Sequence, residues 1–232
     1  MRQALLIVFA CLLAPGAARA QGAGAAAPEW RPWRPVVSVG GGWVGADALG
    51  AVAAETRTAT IATSTPPAFT LFRTDSTLGA AARADVAVAV PVTRALAVEV
   101  GGTAARPTLS TSVTGDAEAG ATTTVGERVD EYTVGVRVTY DLVRWSWRRR
   151  LSPFLAAGGA YLRQLHEANV LLETGQAWTA GVGVRWWWRG GPGRRPVGLS
   201  AETGWSWRSG GITFASGARS MPVAALRVFA GL

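Results

Sequence analysis

The sequence predicts an all-β fold, namely an eight-stranded antiparallel up-and-down transmembrane β-barrel. Apolar and polar residues alternate with a period of two in eight segments, and no extended 3.6-residue periodicity occurs beyond residue 34. Aromatic residues bracket aliphatic runs on the apolar faces of the clearest segments. The connections between segments are alternately long and short, which is typical of barrels that cross a membrane with tight turns on one side.

The start of the chain predicts export. Residues 1–20 have a positively charged beginning, a short apolar run and a small-x-small site that ends at Ala20, which together indicate a secretory signal peptide. Cleavage near Ala20 would leave residues 21–33 as a flexible periplasmic segment and residues 34–232 as the barrel. No later stretch approaches 18 consecutive apolar residues, so the sequence predicts no helical membrane span.

Composition excludes several kinds of site. The one cysteine, Cys11, lies in the signal segment, so the exported chain would have no disulfide, zinc-thiolate site or cysteine nucleophile. Lipidation of Cys11 is the alternative interpretation, and Phe9 fits a lipidation motif poorly. The net charge of +8, carried entirely by arginine among the basic residues, is compatible with nucleic acid, lipid headgroups or acidic glycans.

Eight segments are predicted as strands because one face of each is apolar. The predicted strands cover residues 35–45, 77–91, 95–106, 131–142, 152–164, 177–188, 196–207 and 221–232. In the first three, the apolar faces consist of alternate residues from Val37 to Trp43, from Leu78 to Val90 and from Leu96 to Val100. In the last five, they consist of alternate residues from Tyr132 to Leu142, Leu155 to Tyr161, Trp178 to Trp188, Val197 to Trp207 and Ala224 to Leu232.

Aromatic residues predict where the membrane interfaces lie. Tyr132 and Tyr140 share one face of the fourth strand and are eight residues apart, as are Trp178 and Trp186 in the sixth. Eight residues at about 3.3 Å in a strand tilted by about 40° span roughly 20 Å of the membrane normal, close to the apolar band of a barrel. The predicted aromatic girdle comprises Trp43, Tyr132, Tyr140, Trp178, Trp186, Trp188, Trp205 and Trp207.

The opposite faces of the strands carry charges of both signs. These residues are predicted to point into the lumen, where an eight-stranded barrel has just enough room for side chains. The predicted lumen charges are Arg83, Asp85, Glu99, Arg137, Asp141, Arg185, Glu202 and Arg227. Since buried charges require partners, we expect an ion-pair lattice that fills the barrel, with Glu99 as the shared acid. A gate or a narrow, solvated ion path is the alternative.

Loop lengths predict the topology. The long connections at 46–76, 107–129, 165–175 and 208–220 are expected to be mobile and extracellular. The short turns PVTR, RWSWRRR and RGGPGRR are expected on the periplasmic side. In RWSWRRR, at 144–150, we interpret the tryptophans as interface residues and the arginines as headgroup contacts rather than as a nucleic-acid site.

With these features the chain resembles the small eight-stranded outer-membrane barrel family typified by the OmpA transmembrane domain and its OmpX- and OmpW-like relatives. The last strand resembles the family's assembly signal, because Leu226, Val228, Ala230 and Leu232 alternate up to the terminus, although the family usually ends in Phe. The resemblance implies a place in the outer membrane of a Gram-negative envelope, with periplasmic termini. It also implies two partners, the barrel-assembly machinery and an outer leaflet of lipid and lipopolysaccharide.

The sequence does not predict an enzyme. Enzymatic relatives in this architecture use a histidine-based constellation, and here His166 is the only histidine, in the sequence His166-Glu167-Ala168 rather than His-x-Ser. We expect no catalytic residues, metal or cofactor. The predicted function is a structural or loop-mediated interaction protein with an unknown loop ligand. The alternatives are an OmpW-like narrow channel for small solutes and a lipid-modifying enzyme.

Overall fold

The computed structural model describes residues 34–57, 68–115, 122–147, 150–166, 171–189, 197–214 and 217–232. The predicted signal peptide, the segment 21–33 and most of the RGGPGRR turn lie outside these residues. The described strands are β1 (Val36–Val44), β2 (Asp47–Arg57), β3 (Ala68–Leu78), β4 (Ala81–Pro91), β5 (Leu96–Ala105), β6 (Thr108–Thr114), β7 (Thr123–Asp141), β8 (Leu151–His166), β9 (Leu172–Arg189), β10 (Val197–Gly210) and β11 (Arg219–Gly231). Among the described residues, no helix is long and apolar enough to cross a membrane.

Eight of these strands close into a barrel. Each strand pairs antiparallel with its neighbours in the order β7-β5-β4-β1-β11-β10-β9-β8, and the pairing of β7 with β8 closes the ring. The first and last strands pair from Val36–Gly231 to Val44–Val223. The predicted eight-stranded antiparallel barrel is therefore confirmed. We call the end that carries Arg34 and Leu232 the terminal end, and the opposite end the distal end.

At the distal end, four strands continue beyond the barrel as a second sheet. Strand β2 pairs with β3, β3 with β6, and β6 with the first residues of β7, and we call this the distal sheet. The two sheets are continuous in the chain, since only residues 45–46, 79–80 and 106–107 separate β1 from β2, β3 from β4 and β5 from β6. The break reverses the phase of the first strand, so Val44 and Asp47 are both buried.

The distal sheet corrects the prediction that the long connections are loops. Most of residues 46–76 and 107–129 form strands, and the connections expected at 165–175 and 208–220 are shortened by the ends of β8, β9, β10 and β11. These segments are rich in threonine, which favours strands, but they lack the strict alternation that a lipid-facing strand requires. Leu78 was expected on the apolar outer face of a barrel strand. It is instead the last residue of β3, in the distal sheet, and its side chain is buried.

A small apolar core covers the distal opening of the barrel. It is formed by buried residues from three strands of the distal sheet, from β7 and from the connection after β10: Leu49, Leu78, Leu109, Val129 and Ile212. Gly210 and Gly211 have φ of 74° and 71°, a left-handed conformation that glycine adopts without strain. These two glycines turn the chain back so that Ile212 reaches the core.

Candidate functional site: the charged lumen

The eight predicted lumen charges all lie on the inner face of the barrel, and six of them form one chain of ion pairs. We call this chain the central lattice. Its members alternate in sign and are, in order of contact, Glu99, Arg137, Glu202, Arg227, Asp85 and Arg83. The three cations balance the three anions, and the lattice joins β4, β5, β7, β10 and β11. It therefore ties together strands on opposite walls of the lumen.

Arg137 is the centre of the lattice. Its Nε and Nη2 donate to the two carboxylate oxygens of Glu99 at 2.8 and 3.0 Å, while Nη1 donates to both oxygens of Glu202 at 2.9 and 2.8 Å. Glu99 lies opposite Arg137 on the adjacent strand, whereas Glu202 lies on the far wall. Gly158 flanks Arg137, and a Cβ there would lie only 2.3 Å from Arg137 Cβ. The glycine therefore gives this arginine the space it occupies.

The acids shared between cations of different strands are Glu202 and Asp85, and the expectation that the shared acid would be Glu99 is wrong. Glu202 accepts hydrogen bonds from Arg137 and, at 3.0 Å, from Nη1 of Arg227. Among the described residues, Glu99 forms an ion pair with Arg137 alone. The reason is register, because Glu99 stands directly across from one arginine and is satisfied by it.

Asp141 and Arg185 form a separate pair nearer the terminal end. Arg185 Nη1 donates to the Asp141 carboxylate, Nη2 donates to Thr139 Oγ1 at 3.2 Å, and the guanidinium carbon lies 4.5 Å from the centre of the Phe154 ring. The planar cation is thus held by a carboxylate at its edge and an aromatic face, an arrangement that suits arginine. These two residues lie outside the central lattice.

A second buried charge cluster lies at the distal end, and sequence analysis missed it. Arg208 is paired with Glu131, with Nη1 2.7 Å from Oε2, and both side chains are about 5% exposed or less (5% and 4%). Gln164 donates to Glu131 at 2.9 Å and accepts from the backbone N–H of Ile212 at 2.9 Å. This distal cluster therefore links three barrel strands to the core that covers the opening. It was missed because Arg208 lies in a segment interpreted as a loop, while Glu131 and Gln164 stand at the very ends of predicted strands.

Arg219 and Asp47 extend the distal cluster away from the barrel. Along the chain, Asp47 follows the girdle residue Trp43 and begins β2 of the distal sheet. Arg219 Nη1 lies 3.4 Å from Asp47 Oδ2 and donates to the carbonyl of Ile212 at 2.6 Å. Burial raises the pKa of the Asp47 carboxyl, while the guanidinium groups of Arg219 and Arg208 oppose that change. The folded protein therefore holds a proton on Asp47 more tightly than the unfolded chain does, so this carboxyl favours folding more as the pH falls through the raised pKa.

Two cavities flank the central lattice. One, of about 110 Å³, occupies the terminal half of the lumen, and the other, of about 90 Å³, lies on the distal side. Glu99, Arg137 and Arg227 line both cavities, so the lattice forms the partition between them. The distal-side cavity is also lined by Arg83, Asp85 and two threonines, a polar surface of the kind that ordered water hydrates.

The outer face of the barrel is apolar between two aromatic zones. Tyr140, Trp186 and Trp188 lie toward the terminal end, and the other girdle residues, Trp43, Tyr132, Trp178, Trp205 and Trp207, lie toward the distal end; all are exposed. Between them, valines and leucines point outward, and Val136, for example, is 52% exposed. In the RWSWRRR turn, Trp145 and Trp147 are each 73% exposed, while Arg148 and Arg149 lie outside the described residues.

We expect Val136→Arg to destabilise the barrel in a bilayer by about 2–4 kcal/mol, because it puts a charge on the outer face midway between Tyr132 and Tyr140. Urea titration of folding into lipid vesicles measures this cost. The matched control is Thr124→Arg, which adds the same charge to an exposed position of the same strand in the distal sheet. Equal stability of the two variants would contradict the assignment of this face to lipid.

His166 falls in the segment 165–175 that was predicted to be a loop, but it belongs to a strand. It ends β8, and its Nδ1 lies 3.0 Å from Glu127 Oε1, with the imidazole mostly buried. Among the described residues, no group of three or more His, Cys, Asp and Glu side chains is arranged to hold a metal ion. The histidine thus joins β8 to the distal sheet through Glu127 of β7.

A closed barrel with an apolar outer surface, aromatic residues at both edges and a charged interior has the fold of an outer-membrane β-barrel protein. No protein-family model matches the chain, and no curated protein matches it either. Among solved structures, it is similar to the outer membrane protease OmpT from Escherichia coli, at 6% identity and a TM-score of 0.40, over 89% of this chain and 99% of that chain. It is also similar to the P. putida toluene transporter TodX, at 9% identity and a TM-score of 0.17, over 87% and 91% of the two chains.

Proposed function

We propose that this protein is a non-enzymatic outer-membrane barrel that displays its distal sheet at the cell surface as an interaction platform. The observation that carries the proposal is the distal sheet itself. It is an ordered extension of four barrel strands with its own apolar core, not a set of connections of minimal length. Its exposed surface combines polar side chains, such as Arg73 and Asp75, with the apolar side chains of Val52, Leu71, Phe72 and Val125, and Ser112 is hydrogen-bonded to Thr124 at 3.2 Å.

The lattice that crosses the lumen supports a structural role rather than transport. The central lattice crosses the barrel between opposite walls, and the apolar core and the distal cluster lie above it. Both chain ends of the barrel lie at the terminal end, which we place in the periplasm, where the assembly machinery would engage the last strand. The proposed lipid partners are outer-membrane lipid and lipopolysaccharide, in contact with the apolar face and its aromatic edges.

Site-directed labelling tests this orientation. We expect a membrane-impermeant maleimide to label Thr124→Cys in intact cells and to label Val92→Cys only after the outer membrane is permeabilised, because the two exposed positions lie at opposite ends of the barrel. The unmodified protein is the baseline, since its one cysteine, Cys11, lies in the predicted signal peptide. Labelling of Val92→Cys alone in intact cells would reverse the topology and refute surface display of the distal sheet.

A narrow channel is the second candidate function, and the two lumenal cavities favour it. The central lattice alone separates the two cavities, so a rearrangement of its ion pairs would connect them. Planar-bilayer recording separates the candidates. The proposed display protein conducts weakly and gains conductance in the Arg137→Met, Glu202→Gln double variant, whereas a channel conducts in the unmodified protein.

A further inference from the structure

We propose that the cavity in the terminal half of the lumen is a binding site for a small organic anion with an apolar body, such as an aromatic carboxylate. The cavity lies between the central lattice and the terminal opening, where Thr93 and Ala95 of the β4–β5 turn form part of its edge. Its volume is about 110 Å³. A water molecule requires about 10–15 Å³ of cavity volume. The cavity therefore has room for roughly nine water-sized groups, that is, for a ligand of about nine non-hydrogen atoms.

The wall of the cavity is apolar where a ring would lie. Phe154, Trp187 and Phe229 line it, and the rings of Trp187 and Phe229 pack edge to face with centroids 6.4 Å apart. Leu96 and Val36 line it from other strands. Three aromatic side chains that converge on one concave space are typical of sites for small molecules with an apolar body, whereas a chain of ordered waters requires polar partners.

The charge of the cavity selects an anion. Five arginines and two acids line it: Arg34, Arg94, Arg137, Arg185, Arg227, Glu99 and Asp141. Three of the arginines are already engaged by carboxylates of the central lattice or by Asp141. Arg34 and Arg94 have no ion-pair partner among the described residues, and both lie near the opening. A ligand carboxylate at the opening would give these two guanidinium groups a partner.

The positions of the arginines and of the aromatic wall determine which end of the ligand would enter first. Arg34 and Arg94, which lack an ion-pair partner within the described part of the chain, are at the opening, and the aromatic wall is farther inside. The apolar body therefore enters first and the carboxylate stays at the opening. Amines would be repelled by Arg34 and Arg94, and neutral aromatic molecules would lose the charge contacts. Binding does not depend on orientation in the membrane; only the source of the ligand, the periplasm, rests on the proposed function.

The test is ligand-observed ¹⁹F NMR of 4-fluorobenzoate with the full chain folded in lipid nanodiscs. We expect saturable broadening that empty nanodiscs do not produce, and no such effect for 4-fluorobenzylamine. The Arg34→Gln, Arg94→Gln double variant should weaken binding by at least about tenfold, because a charge-assisted contact is lost at both positions. Arg73→Gln, which removes an exposed arginine from the distal sheet, is the matched control and should leave affinity unchanged.

A second variant locates the ligand. Ala97 lines the cavity from β5, and Ala97→Leu should fill part of the space and reduce binding without removing a charge. Folding of each variant is checked by far-ultraviolet circular dichroism. Unchanged affinity in either the double arginine variant or Ala97→Leu would overturn the proposal, as would equal binding of the benzylamine. Because the maleimide experiment reports orientation alone, failure of this site and failure of the display function are distinguishable.

Discussion

Arg137→Met is expected to lower the free energy of unfolding of the barrel by about 3–5 kcal/mol, because it leaves two carboxylates of the lumen without their principal cation. Arg137 makes all four of its charged hydrogen bonds with Glu99 and Glu202, and its side chain is only 16% exposed. Equilibrium unfolding in urea, with refolding into lipid vesicles, measures the loss. The methionine keeps much of the volume of the side chain, so the change reports mainly on charge.

Double-mutant cycles separate the lattice from general disruption of the lumen. Arg137→Met and Glu202→Gln should be strongly coupled, since the second substitution removes a charge that the first leaves unpaired. Arg83→Met and Glu99→Gln should be nearly additive, because Arg83 and Glu99 share no ion pair among the described residues. Additive effects in the first cycle would mean that the cross-lumen contact does not form in the membrane.

The membrane-spanning part of the fold was predictable because lipid imposes a strict rule on it. A charge on the lipid face near the midplane costs about 2–4 kcal/mol, so every spanning strand must place its charges on the other face. The sequence alone therefore predicts that Val136 faces the lipid and that Arg137 faces the lumen. Even in the strand 152–164, which is apolar on both faces, the expected outward phase of Leu155 and Tyr161 is confirmed.

The distal sheet was not predictable by the same rule, because its segments lack the strict alternation of a lipid-facing strand. Leu49 and Leu78 are buried there, but single leucines among alanines and threonines do not form a readable pattern. The breaks at 45–46, 79–80 and 106–107 also change the phase of the chain, so alternation cannot be extended from the barrel into the sheet.

The sequence also could not predict which charged residues of the lumen form ion pairs with one another. The pattern places Glu99 and Glu202 on inner faces, but which arginine each one meets depends on register and on reach across the barrel. Glu99 faces Arg137 directly in the pairing of β5 with β7, whereas Glu202 meets the same arginine only because the barrel closes. A cross-lumen contact is a property of the closed ring and has no local signal in any one strand.

The distal cluster provides the second large expected effect. Glu131→Gln should destabilise the protein by about 3–5 kcal/mol, because it removes the carboxylate that pairs with the buried guanidinium of Arg208, which is 5% exposed. The matched control is Asp130→Asn, one residue away on the opposite face of β7. Asp130 pairs with Arg106, whose side chain is 63% exposed, so its loss should cost at most about 1 kcal/mol.

A double substitution decides whether the cost arises from the unpaired charge. Glu131→Leu combined with Arg208→Met should cost less than Glu131→Gln alone, since no buried charge then remains without a partner. Amide hydrogen exchange at Ile212 should accelerate in Glu131→Gln, because Gln164 bridges the Glu131 carboxylate and the Ile212 N–H. If urea unfolding shows the same stability for Glu131→Gln and Asp130→Asn, the pair is hydrated in solution and the distal end of the lumen is open to water.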